Sequence, residues 1–119
     1  MSVPARFYGP ALLSTSPTTL FTAAASKRSL IELIHVMNES ASSATLTLSI
    51  GTDGSGTRIY DSFTFRPNEM RAITTYLVLN EGEVFQGFSG SASAILLTVS
   101  GRVSDVGGWG YSWGSSFGG

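Results

Sequence analysis

The chain has 119 residues and a net charge of −1, and only 13% of its residues are charged. This length fits one domain, and the near-neutral charge gives no electrostatic basis for binding nucleic acid or an anionic membrane. The absence of cysteine excludes disulfides and thiolate chemistry. No apolar run approaches the roughly 20 residues of a membrane span, and no signal peptide precedes the body, so we expect synthesis in the cytoplasm.

The first segment, residues 1–17, is predicted to be an N-terminal arm. Phe7 and Tyr8 stand beside Gly9-Pro10, and this combination suits an extended segment. Aromatic side chains in such a segment are typical anchors at interfaces. We therefore predict that Phe7 and Tyr8 contact a neighbouring subunit.

Residues 18–106 are predicted to form the folded body. In the stretch ATLTLSI, leucine and isoleucine alternate with threonine and serine, which is the period of two of a half-buried strand. AILLTVSGRVS shows the same alternation. SLIELIHVMN is apolar on both faces and indicates a central strand, with a short helix as the alternative. The predicted strands are 18–23, 29–38, 44–50, 58–65, 70–75, 76–79, 84–88 and 94–104.

Turn signals separate these strands every eight to twelve residues. They are the clusters NESASS, GTDGSGT, RPNE, NEGE and SGSAS, rich in residues that favour turns. About eight short strands with regular turns predict an all-β fold, a single antiparallel β-sandwich of jelly-roll type with extended N- and C-terminal arms.

No motif in the body predicts catalysis, a cofactor or a metal. The glycine-rich GTDGSGTR matches neither a P-loop nor a dinucleotide fingerprint and is predicted to be a hairpin loop. Asp53 and Asp61 lack the dense acidic spacing of a calcium site. His35, the single histidine, lies in an apolar strand and is predicted to be a packed side chain. A glycan-binding module remains an alternative, because Phe7, Tyr8, Tyr60 and Tyr76 could stack on sugars.

The region from about residue 18 to residue 104 resembles a small β-sandwich module of tailed-bacteriophage structural proteins. The matching pieces are TLFTAAAS, IHVMNESASSATLTLSIG, TRIYD, LVLNEGEVFQGFSG and LLTVSGRV. In that family an I-x-V-x-N-x-S strand end precedes an alternating strand, and a V-x-G closes the module. The Asn-Glu after Pro67 departs from the small residues of the family. The resemblance implies a virion component without catalytic residues.

The last thirteen residues, 107–119, read GGWGYSWGSSFGG and carry no charge. Ordering them costs roughly 13–26 kcal/mol, and burying their four aromatic side chains returns roughly 15–25 kcal/mol. Such a segment is ordered only where most of its rings find apolar pockets, which a neighbouring subunit would supply. The alternatives are a disordered tail and one folded back over its own sheet edge. We predict a C-terminal arm whose anchors are Trp109, Tyr111, Trp113 and Phe117.

Together these features predict a non-enzymatic virion protein, made in the host cytoplasm. The favoured role is a capsid decoration or minor capsid protein, and the alternatives are a tail or fibre component and a glycan-binding module. The expected partners are other virion proteins, foremost the major capsid protein, and further copies of the chain, with a trimer as one candidate form. Five arginines are further candidates for subunit contacts: Arg6, Arg58, Arg66, Arg71 and Arg102.

Overall fold

The computed structural model describes residues 2–54 and 56–105, and the regular structure within these ranges is entirely β. It consists of eight strands: β1 (Ser2–Leu12), β2 (Thr18–Thr22), β3 (Lys27–Asn38), β4 (Ala44–Ile50), β5 (Arg58–Phe65), β6 (Met70–Leu79), β7 (Val84–Ser89) and β8 (Ile95–Asp105).

The strands form two four-stranded antiparallel sheets. The first sheet has the order β1-β8-β3-β6, and the second has the order β2-β7-β4-β5. The pairs β1–β8, β2–β7, β3–β6 and β4–β5 are those of one long hairpin rolled into two sheets. This is the arrangement of a jelly roll. The predicted all-β sandwich of jelly-roll type is confirmed.

The core lies between the two sheets and follows the predicted alternation. On β8 the side chains of Ile95, Leu97 and Val99 are fully buried, whereas Leu96 and Thr98 between them are half-buried. The other sheet contributes Leu46 and Leu48 in the same way. The remaining large residues of the core are Leu13, Ile31, Ile34, Val36, Phe65, Leu79 and Phe85.

Two strand assignments differ from the sequence prediction. The stretches 70–75 and 76–79 are one continuous strand, β6, because β3 pairs with both of them; the register shifts once, between the pairs Ile31–Leu77 and Leu33–Thr74, where β6 has one residue more than β3. Between Ile31 and Leu33, β3 in turn has one residue more than β8, and this is the bulge of β3. The eighth strand is β1, which pairs with β8 along most of its length. Residues 2–12 therefore lie in the chain's own first sheet, where they satisfy the backbone groups of β8. The domain boundary between residues 17 and 18 stays a prediction.

Asn38, at the end of β3, is fully buried and joins two loops. Its Oδ1 accepts hydrogen bonds from the backbone N and the Oγ of Ser40, at 3.0 and 2.8 Å. Its Nδ2 donates to three carbonyl oxygens, those of Ser42 at 2.8 Å, Arg66 at 3.0 Å and Phe65 at 3.2 Å. One side chain therefore fastens the β3–β4 loop to the end of β5 and the turn that follows it.

Candidate assembly surface

The outer face of the first sheet carries a row of apolar side chains that crosses all four strands. Leu12 on β1 is paired with Leu96 on β8, Leu96 with Met37 on β3, and Met37 with Met70 on β6. Paired residues of antiparallel strands point to the same face. Leu12 is 44% exposed and Met70 is 62% exposed. We call these four residues the apolar row.

Most of the other exposed large hydrophobic residues also lie on this outer face. Alternation along β6 places Tyr76 and Val78 there, and Leu33 lies beside them on β3. Within residues 2–54 and 56–105, five of the seven exposed large hydrophobic residues therefore belong to one sheet face: Leu12, Leu33, Met70, Tyr76 and Val78. An exposed apolar surface of this kind typically marks an interaction site.

An open groove of about 520 Å³ lies on the same face, at the bulge of β3. Ser100 and Gly101 on the central strand β8 form part of its lining, together with Arg6 from one side and Glu32 and Leu33 from the other. Because Ser100 and Gly101 on β8 are small, the larger side chains of β1 and β3 form the two walls of the groove, and β8 forms its floor.

The outer face of the second sheet is different at its centre, because the chain's own polar groups cover β4 there. Thr47 and Ser49 point outward from β4 but are only 1% exposed. Ser49 Oγ donates to Asp53 Oδ1 at 3.0 Å, and the Thr47 hydroxyl accepts from the backbone N of Ser62 at 3.0 Å. The backbone N of Asp53 donates to Gln86 Oε1 at 3.0 Å. The β4–β5 loop is thus held against this sheet.

Three carboxylates are held in their ionised form by neighbouring donors. Hydrogen bonds from Arg58 at 2.9 and 3.1 Å lower the pKa of Asp53. The backbone N of Arg66, donating at 2.8 Å, and the side chain of Arg71 lower the pKa of Glu69. The ion pair of Asp105 with Lys27 lowers the pKa of that carboxyl.

These pairs predict that acid destabilises the fold. The three carboxyls have lower pKa values in the folded chain than the usual values of about 4. The unfolded chain therefore binds more protons as the pH falls through and below about 4, and the free energy of unfolding decreases there. Urea unfolding followed by circular dichroism from pH 7 to pH 3 measures this slope. We expect Asp53→Asn to flatten it, and equal slopes in the variant and the parent chain would contradict the assignment.

The two N-terminal residues predicted as subunit anchors contact the chain's own core. The Phe7 ring stacks on that of Phe21 with centroids 4.7 Å apart, and Phe21 in turn packs against Phe85 at 5.5 Å. Tyr8 is half-buried opposite Val99, and burial raises the pKa of its hydroxyl. Contact of Phe7 and Tyr8 with another subunit stays a prediction.

The five arginines predicted as interface residues are spread over both sheets. Arg58 pairs with Asp53 and Asp61, and its guanidinium lies 5.8 Å from the ring centroid of Phe88. Arg66 and Arg71 both pair with Glu69, at 3.7 and 2.5 Å. On the outer face of the first sheet, Arg102 pairs with Glu32 at 3.5 Å and Arg6 lines the groove.

The four predicted tail anchors, Trp109, Tyr111, Trp113 and Phe117, lie outside the described residues. Within the part that is described, no three His, Asp or Glu side chains are grouped so that they could hold a metal ion. The same ranges contain no helix of the length and apolar character that crossing a membrane requires. His35 is half-buried on the outer face of β3, and the Gly-rich loop joins β4 to β5 as predicted.

Sequence reasoning missed the apolar row. Each of its members belongs to a different strand, and their proximity depends on the order and register of the sheet. A partial signal was the apolar character of residues 29–38 on both faces, which implied that the outer side of this strand is apolar.

Comparison with known proteins gave matches only among solved structures. No protein-family model matches the sequence, and no curated protein matches it. A chain in the structure of infectious bursal disease virus Gx strain aligns with 90% of this chain, at 16% identity and a TM-score of 0.45. A chain in the structure of the Gt strain aligns with 87%, at 14% identity and a TM-score of 0.37. This protein spans only 31% and 29% of those two chains, and a likeness this loose carries no functional conclusion.

Proposed function

We propose that this protein is a non-enzymatic structural protein of a virion, a capsid decoration or minor capsid protein that stabilises the particle through subunit contacts. The observation that carries the proposal is the uncovered apolar face of the first sheet. Jelly rolls form viral capsid domains and also lectins. The fold by itself is therefore compatible with both a virion protein and a glycan-binding module, and it supports either one only by analogy. The sequence resemblance to phage structural modules favours the virion.

The two sheet faces support a role in assembly because they are unequal. The centre of the second sheet is covered by hydrogen bonds that the chain makes to itself, such as those of Asp53. The first sheet leaves Leu12 and Met70 exposed on its two edge strands. Burying such side chains against a partner stabilises the contact by about 25 cal/mol per Å² of apolar area.

In this proposal the C-terminal segment 107–119 is the arm that makes subunit contacts. Trp109, Tyr111, Trp113 and Phe117 are its anchors, and the partners are further copies of the chain and the major capsid protein. The assembly is a homo-oligomer, for which a trimer is one possible form.

Removal of the arm tests the proposal. A chain ending at Val106 and the full chain are supplied in trans to cells that produce virions lacking the protein. We expect the truncated chain to fold, as judged by circular dichroism, but to be incorporated at least about tenfold less than the full chain, a loss of 1.4 kcal/mol or more. Quantitative mass spectrometry of purified particles measures incorporation. Equal incorporation and equal thermal stability of the particles would overturn the proposed mechanism.

A glycan-binding module is the second candidate, and one residue favours it. Tyr76 is 76% exposed on the outer face of β6, and an exposed aromatic ring offers a stacking surface to a sugar. Binding of the full chain to a glycan array, lost in Tyr76→Ala, would favour this candidate over the virion protein.

A further inference from the structure

We propose that the outer face of the first sheet is the receptor for residues 107–119 of a second copy of the chain. This inference rests on the proposed function, because it names the surface on which the C-terminal arm docks. The occupant is the arm of a neighbouring copy. The receiving surface consists of the apolar row and the groove on the same face, four residues farther along β3 and β8.

The chemistry of this face matches that of the arm. The arm has no charged residue and carries four aromatic rings, and the apolar row offers a continuous strip from Leu12 to Met70. The open groove gives room to an aromatic side chain above Ser100 and Gly101. Arg6 is one of the lining residues, and a guanidinium favours the face of an aromatic ring.

The length of the chain beyond β8 argues for a neighbouring copy rather than the same one. Leu96, in the apolar row, lies nine residues before Asp105 on β8, which is about 30 Å along a strand. Trp113 follows Asp105 by eight residues and reaches at most about 29 Å when fully extended. A chain that turns back on itself uses residues in the turn, so its own Trp109 and Tyr111 cannot reach this row, although they can reach the groove at Ser100. The arm of another copy can bring several rings to the row.

Mutual exchange of arms also covers part of each edge of the first sheet. β1 and β6 are its edge strands, and exposed edges are prone to uncontrolled pairing with other chains. An arm that crosses the apolar row passes over both edges, since the row runs from β1 to β6.

Tryptophan fluorescence tests the inference directly, because both tryptophans of the chain, Trp109 and Trp113, are in the arm. In the full chain we expect the emission to shift to shorter wavelength as protein concentration rises, in step with association measured by sedimentation. Met70→Glu places a carboxylate in the apolar row at a position that is already 62% exposed. We expect this variant to fold and to associate at least about tenfold more weakly.

A matched control and a complementation experiment separate the possible docking modes. Thr64→Glu adds the same charge at an exposed position of β5 in the second sheet and should associate like the parent chain. The second experiment uses Met70→Glu as arm donor. Its acceptor is a full-length chain with serine at all four arm aromatics, which has no tryptophan and an intact face. We expect the mixture to restore the blue shift that the donor alone lacks.

The outcomes distinguish this inference from the proposed function. A blue shift that is independent of concentration, or that persists in Met70→Glu, would overturn the inference, since the arm would then dock on its own chain or elsewhere. If Met70→Glu enters virions normally while the chain ending at Val106 does not, the inference about the docking surface is also wrong. The proposed function would then survive. Association through the sheet faces with no change in tryptophan emission would also overturn the inference that the arm docks on the first sheet. If the truncated chain enters virions normally, the proposed function fails.

Discussion

Asn38→Ala is expected to lower the free energy of unfolding by about 3 kcal/mol or more. The substitution leaves the carbonyl oxygens of Phe65, Arg66 and Ser42 without the Nδ2 donor that they share. It also releases Ser40, whose backbone N and hydroxyl both donate to Oδ1. An unpaired buried polar group typically costs about 1–3 kcal/mol, and the removed side chain leaves a cavity at a fully buried site.

Urea and thermal unfolding followed by circular dichroism measure this effect. In a chain of this size, a loss of about 3 kcal/mol lowers the thermal midpoint by about 10 °C or more. Asn80→Ala is the matched control, because Asn80 is exposed in the turn after β6 and its substitution should change stability by less than about 0.5 kcal/mol. A similar small change for Asn38→Ala would contradict the role assigned to this side chain.

Asn38→Asp separates hydrogen bonding from packing at this site. The carboxylate keeps the shape of the amide but turns oxygen atoms toward carbonyl oxygens, so it should destabilise the fold at pH 7 at least as strongly as alanine. Burial among acceptors raises the pKa of such a carboxyl. The folded state then binds the proton more readily than the unfolded state, and the deficit relative to the parent chain should shrink as the pH is lowered.

The second large effect is expected for Gly101→Ala, which should cost about 3 kcal/mol, the upper end for overpacking. Gly101 lies on β8 opposite the bulge of β3. A Cβ added there would lie 1.8 Å from the carbonyl oxygen of Leu30 and 3.0 Å from the backbone N of Glu32. Both atoms belong to the backbone, so relief requires β3 and β8 to separate in the middle of the sheet.

Gly54→Ala is the control for Gly101→Ala. Gly54 lies in the β4–β5 loop, and a Cβ there would meet no atom within 4 Å. We expect its effect on the free energy of unfolding to stay within about 0.5 kcal/mol. If both alanine variants unfold at the same urea concentration as the parent chain, close approach of the backbone at Gly101 is not a constraint on the fold.

Both residues belong to the pieces of sequence that resemble phage modules, and the structure gives their physical role. Asn38 is the asparagine of the I-x-V-x-N-x-S strand end, and Gly101 is the glycine of the closing V-x-G. The pattern marks them by position alone. Their partners, Phe65 and Arg66 for one and Leu30 for the other, are distant in sequence.

The fold class could be predicted from local patterns. Alternation in 44–50 and 94–104 follows from the two-residue period of a strand, and it specified which residues of β4 and β8 enter the core. The turn clusters separated the strands because Gly, Asn and Ser allow backbone conformations that strands exclude. The same local reasoning divided β6 into two strands, because the continuity of a strand through an irregularity depends on a partner strand that pairs with both parts.

The candidate surface depends on information that is not local. The sequence by itself determined the alternation of the strands, the charge-free aromatic segment 107–119 and the apolar character of residues 29–38 on both faces. Only the tertiary structure decided that β1 completes the first sheet and that Leu12, Leu96, Met37 and Met70 form one row. The reason is that strand order and register are set by hydrogen bonds between residues far apart in the chain, and a shift by one residue would turn each of these side chains to the other face.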